Sequence, residues 1–167
     1  MASDIWFEAY GGETTEELLA LEADYRIDSL VLAFEQAIQQ KGASGAVSKQ
    51  ERFVLAIEAL EREVNNGGYS QFFLNSSNEF VDVIEEALRA IGCPKTATIT
   101  QRAITSLGIR DELTGGKAEA VVLADDPAVS AALDDCDAQY YDNDEAIADM
   151  LFAWIKQNRA AVRVGEG

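Results

Sequence analysis

Apolar residues recur at spacings of three and four along nearly the whole chain and nowhere alternate over a strand's length, so the pattern predicts helices and no sheet. Thr14 or Thr15 opens a first segment carrying Leu18, Leu19 and Leu21. A second, continuous with it or nearly so, carries Tyr25, Leu30, Phe34 and Ile38, and Lys41 to Ser48 reads as a loop. Ser48 and Glu51 have the spacing of a capping box, in which each side chain takes the other residue's main-chain N–H. The helix they open presents Phe53, Ile57, Leu60 and Val64 inward, sets Glu58 and Arg62 as an i,i+4 pair outside, and stops at Gly67 or Gly68. A helical turn near Gln71 to Leu74 precedes a helix from about Glu79 to Ile91, with Gly92 and Pro94 as its stop. Thr98 to Leu107 reads as helix ending at Gly108, and the TGG at 114–116 as loop. Asp126 then caps a helix with Pro127 at its first position and Val129, Leu133 and Cys136 inside. A last helix is expected from near Asp144 to about Val162, burying Ile147, Leu151, Trp154 and Ile155.

The expected fold is therefore all-α: one compact multi-helix domain over 1–167, with an acidic N-terminal helical segment over 1–41. The 26 alanines and only two prolines agree with this. A chain of 167 residues with 48% hydrophobic and 26% charged residues can bury one core but is short for two ordinary domains.

Charge changes the picture more than composition does. Thirty Asp and Glu against 13 Lys and Arg, with no histidine, give −17. Direct binding to nucleic acid or to an anionic membrane is disfavoured, because like charge repels. The missing histidine excludes Ser-His-Asp and Cys-His nucleophile systems and His-ligated zinc. The cysteines, 93 and 136, form no CxxC pair and suit a reducing cytoplasm as small buried residues. No export signal is evident at MASDIWFEAY, and the longest uncharged stretch, Val64 to Asn78, is too polar to span a membrane. The excess is also segregated. Residues 1–25 carry seven acids and no base, residues 118–155 ten acids and no base, and the other 104 residues are balanced at 13 and 13. Solubility alone would intersperse the signs.

Two clusters could carry chemistry. In Asn65-Asn66-Gly67-Gly68-Tyr69-Ser70-Gln71-Phe72-Phe73-Leu74-Asn75, the glycines permit a turn and the amides of Asn66, Gln71 and Asn75 can satisfy helix ends. An alternative makes Asn66, Tyr69, Gln71 and Asn75 the lining of a small-molecule or enzymatic pocket. The second cluster runs from Leu133 to Glu145. As a calcium loop from Asp135 it fails, with Tyr140 where Gly is needed and Ala146 where Glu is needed. No pair of carboxylates is singled out for acid–base work, so no catalytic residue, metal or cofactor is assigned. What remains is an acidic face, either merely solvated or engaging a cationic partner. If Asp142, Glu145 and Asp149 share a helix, they line one side about 5 to 6 Å apart per turn. That density is comparable with the one charge per roughly 3.4 Å along a DNA strand. The candidate partner-binding residues are Asp125, Asp126, Asp134, Asp135, Asp137, Asp142, Asp144, Glu145 and Asp149.

Glu61 to Ser77 (EREVNNGGYSQFFLNSS), Glu86 to Lys95 (EALRAIGCPK) and Leu133 to Asn158 together resemble the bacterial DNA-mimic protein family, also known as a domain of unknown function, over roughly residues 50–160. Asn66, Gly67, Gly68, Tyr69, Gln71, Phe72 and Asn75 match its signature, mostly as fold determinants, and Leu133, Asp137, Tyr140 and Tyr141 match a second block. The resemblance implies an all-helical fold, homodimers, no catalytic activity, and an acidic surface that a basic DNA-binding protein such as a transcription regulator takes for a duplex. Another kind of protein–protein interaction module stays open beside it.

Overall fold

The computed structural model describes residues 3–166. Eight α-helices and one 3-10 turn appear among them, with no strand, so the all-α reading holds. The helices are α1 (Thr15–Ala20), α2 (Ile27–Gly42), α3 (Lys49–Leu74), α4 (Ile84–Ala90), α5 (Pro94–Ser106), α6 (Gly115–Leu123), α7 (Pro127–Asp142) and α8 (Ile147–Gln157), with the 3-10 turn at Ser76–Phe80. The contacts divide them into two compact units. Unit 1 lies within Met1–Glu58 and Ala146–Gly167; unit 2 is Ala59–Glu145.

In unit 1, α2 packs on α8 and on α1. Leu18, Leu30, Phe34, Ile38, Ile57, Leu151 and Ile155 are fully buried, and the Phe53 and Trp154 rings lie 6.0 Å apart. Both capping boxes form: Thr14 with Glu17, and Ser48 with Glu51. Glu51 does more than its box requires. Its carboxylate is completely buried and accepts from Lys41 Nζ at 2.6 Å and from the Arg163 N–H at 2.9 Å. Burial alone would raise its pKa, but these donors outweigh burial and hold it below the ordinary carboxylate value. Thr15 binds the same tail, donating to the Val162 carbonyl and accepting from the Val164 N–H.

In unit 2, α5 packs against α4 and α7, and α6 against the 3-10 turn. Several expected boundaries shift for identifiable reasons. The helix expected over Glu79 to Ile91 is shorter. Ser77 and Asn78 donate their side chains to the Phe72 and Phe73 carbonyls, which holds Ser76–Phe80 in a 3-10 turn, and α4 starts only at Ile84. Pro94 is not a stop but the first residue of α5, which begins four residues before Thr98. The TGG expected as loop opens α6 instead. Thr114 accepts from the Lys117 N–H, and Gly115 is a position where a Cβ would lie 2.8 Å from the Asn78 carbonyl oxygen. Asp126 caps α7 with Pro127 at its first position, as expected; Leu133 and Cys136 are buried and Val129 is half-buried. The last helix begins at Ile147 rather than near Asp144, because Glu145 is drawn away to cap α5.

Cys93 and Cys136 are buried free thiols, and burial pushes Cys93 up to about 11. No helix among the described residues is long and apolar enough to cross a membrane.

Candidate functional site

The signature residues build a break in α3. Helical geometry stops at Gly67 and Gly68 and resumes at Tyr69. Gly68 has φ +78°, in the half of backbone space that favours glycine, and a Cβ there would sit 2.7 Å from Asp137 Cγ. A Cβ on Gly67 would meet Gln71 Cδ at 2.8 Å. The break removes the helical acceptor for the Tyr69 N–H, which donates instead to Asp137 Oδ1 at 2.7 Å. Asp137 on α7 is thus a helix cap supplied from 68 residues away. Tyr69 is fully buried, its hydroxyl 2.8 Å from Thr100 Oγ1, and its ring meets Tyr140 edge-on at 5.9 Å. Burial pushes its phenol far above the ordinary value.

The neighbouring polar groups are spent in the same way. Gln71 and Asn75 both donate to Glu63 Oε2, at 2.9 and 2.7 Å. Tyr140 donates to Glu61 Oε1 at 2.5 Å, and Tyr141 to the Val64 carbonyl. Phe72 is fully buried, while Asn66 is exposed. Three residues of the alternative pocket reading, Tyr69, Gln71 and Asn75, are thus bonded within the kink region, and a cavity of about 480 Å³ in this unit lies elsewhere, along α5, lined by Arg89, Gln101, Arg102, Asp135 and Cys136 among others.

The nine candidate carboxylates fall into two sets. Four are bound to this chain's own main-chain N–H groups or to one of its cations. Asp126 caps α7 through the Ala128 N–H at 2.8 Å, and Asp137 caps the resumed part of α3. Asp144 pairs with Lys95 Nζ at 2.8 Å, and that ammonium holds it below the usual value. Glu145 caps α5, accepting from the Lys95 and Thr96 N–H groups at 3.1 and 2.7 Å and from the Thr96 hydroxyl at 2.7 Å. Burial works to raise Glu145, but these donors prevail and lower it; for Asp137 burial prevails over its single N–H donor and raises it. The other five are exposed. Asp125, at φ 55°, sits between α6 and α7; Asp134, Asp135 and Asp142 lie on the outer face of α7, Asp135 accepting only from Gln139 at 2.8 Å; Asp149 lies in the first turn of α8. The expected rail of Asp142, Glu145 and Asp149 does not exist as one helix face, since residues 143–146 are not helical and Asp149 belongs to unit 1.

The N-terminal acidic run is partly neutralised. Glu16 pairs with Arg159 and Arg163 at 3.0 and 3.1 Å, and Glu22 with Lys156. Unit 2 holds 17 acids against 6 bases, so it carries −11 of the −17. No group of three or more His, Cys, Asp or Glu side chains that could hold a metal ion occurs among the described residues. The capping roles of Asp137 and Glu145 escaped the sequence reading because their partners are 68 and 49 residues away.

The family model described as DMP19-like protein matches residues 45–158. No curated protein and no solved structure matches the chain.

Proposed function

Because the chain belongs to the DMP19-like protein family, which the sequence resemblance identifies with DNA mimics, we propose that it is a non-enzymatic DNA mimic that occupies the DNA-binding surface of a basic cytoplasmic protein such as a transcription regulator. The observation that carries this reading is the outer face of α7, where Asp134, Asp135 and Asp142 are exposed with no cation paired to them among the described residues. Eight residues of helix separate the first from the last, about 12 Å of axis. A DNA strand advances a comparable distance in three to four phosphates. Lys and Arg groups set out for phosphates would find carboxylates at similar range, and the surplus of acid in unit 2 would steer their approach.

The test uses the full chain as bait in a lysate of its host cell, followed by challenge with duplex DNA. A captured protein should be released by DNA in excess and held less strongly as salt rises. The D134N/D135N/D142N variant should lose most of that capture while keeping wild-type helical circular dichroism. Asp126, Asp137, Asp144 and Glu145 are left intact because their loss would disturb the fold itself. Capture that persists under excess DNA, or that survives the triple substitution, refutes the reading.

A further inference from the structure

The N-terminal arm, outside the 45–158 match, is fastened to the chain at residues 5, 7 and 10. The Ile5 carbonyl accepts from the Arg26 N–H at 2.7 Å, the Phe7 N–H donates to Ser29 Oγ at 3.0 Å, and the Tyr10 N–H donates to Gln36 Oε1 at 3.1 Å. From residue 26 to residue 36, α2 rises about 15 Å. The arm covers this between residues 5 and 10, which takes about 3 Å per residue, so it runs as an extended chain alongside α2. The N–H groups of the intervening Trp6 and Glu8 have no partner among the described residues. The extended segment thus keeps main-chain donors at Trp6 and Glu8 that a second extended chain could pair with.

Its side chains are unusual for an open edge. Ile5 is 61% and Trp6 42% exposed, next to each other. Trp6 is nevertheless held in place, with the Arg26 guanidinium 5.4 Å from its ring centre, and beside it Phe7 clasps Tyr25 edge-on at 5.2 Å. Asp4 and Glu8 flank the pair in the chain and are exposed, as is Asp24, whose carbonyl accepts from the Ser3 hydroxyl. An exposed tryptophan already stacked against a guanidinium loses less freedom on being covered, and tryptophan is among the residues enriched as anchors in protein interfaces.

We propose that this arm is a docking edge for an extended, lysine- or arginine-bearing segment of a protein partner, which pairs with the free N–H groups of Trp6 and Glu8 and covers Ile5 and Trp6 with apolar side chains. Charge complementarity selects the partner: Asp4, Glu8 and Asp24 reject an acidic segment and favour a basic one. The inference rests on the reading of this chain as a binder of a basic DNA-binding protein, and it adds what a carboxylate face alone lacks. Phosphate-like charge attracts many DNA-binding proteins, whereas an apolar strand edge discriminates among them.

The experiment compares the full chain with its I5D, W6A and D134N/D135N/D142N variants, measuring binding of the DNA-displaceable protein fraction from host lysate at low and high salt. I5D and W6A should weaken binding about thirtyfold at both salt concentrations, as loss of an apolar anchor does. The α7 variant should weaken it chiefly at low salt. Ile5 is so exposed that I5D keeps the wild-type circular dichroism and melting profile, which separates a lost contact from a lost fold. If I5D and W6A bind as wild type does while the α7 variant fails, the arm is not a docking edge and the mimic reading stands. If wild type retains no DNA-displaceable protein, both readings fall.

Discussion

Replacing Gly68 with alanine tests whether the kink in α3 is built around Asp137. At φ +78° and ψ −176° the position lies in a region of backbone space open essentially to glycine alone, and holding alanine there costs about 1 to 3 kcal/mol. The new Cβ would also lie 2.7 Å from Asp137 Cγ and 2.9 Å from Oδ1. The carboxylate can swing away, which relieves the clash, but the swing breaks its 2.7 Å bond to the Tyr69 N–H and strands that donor beside a fully buried ring. A hydrogen bond to a charged group contributes about 1.5 to 3 kcal/mol. The lower entropy of an unfolded chain carrying alanine returns somewhat under 1 kcal/mol. The net cost is about 2 to 5 kcal/mol, a large share of the stability of an ordinary domain. With a urea slope near 2 kcal/mol per molar, the midpoint should fall by about 2 M. Far-ultraviolet circular dichroism is the appropriate probe, because Trp6 and Trp154 both lie in unit 1 and the kink lies in unit 2. D137A loses the cap but empties the space the Cβ needs. In a double-mutant cycle G68A and D137A should therefore fall short of additivity by about 1 kcal/mol or more. A G68A protein within 1 kcal/mol of wild type, or strict additivity, would refute the account.

Two carboxyls should respond to pH with opposite signs. Burial raises Glu61 above its ordinary value, with Tyr140 and Asn65 pulling it only partly back, so its contribution is greatest below about pH 4 and is lost as pH rises through the raised value. E61Q, which keeps an acceptor for Tyr140, should therefore gain on wild type in urea midpoint as pH goes from about 4 to 7. Glu51 is lowered, so its contribution is complete above about pH 5 and fades as pH falls through the lowered value. E51A should cost about 3 kcal/mol at neutral pH, near the lower end for breaking a buried pair because Lys41 is partly exposed, and less at pH 3 by the same titration.

How much of this could be read from the chain depends on how local each cause is. The Ser48–Glu51 box, the Asp126–Pro127 start and the break at Gly67–Gly68 are short-range signals, and all three appear where the sequence puts them. α6 was not legible: two glycines argue against a helix by propensity, and the close approach of Asn78 that requires Gly115 comes from another element. The same limit governs the candidate site. Charge and its segregation are visible in the residue order, but which carboxylates are available to a partner depends on donors elsewhere. Asp137 and Asp134 differ by one turn of α7, yet one is fastened to Tyr69 and the other faces solvent. The carboxylate rail over Asp142, Glu145 and Asp149 presumed helix through residues 143–146, where the Thr96 and Lys95 N–H groups claim Glu145.

The division of the chain also sets an order of events during synthesis. Unit 2 is one uninterrupted stretch, whereas unit 1 is split around it and lacks α8 and the 158–166 tail until residues 147–166 have left the ribosome. Until then Glu51 has no Arg163 N–H to receive and α2 has no α8 to pack against. The carboxylate surface of the acidic middle is thus encoded in one contiguous stretch, whereas the packing of the first 58 residues is completed only by residues that lie beyond position 145.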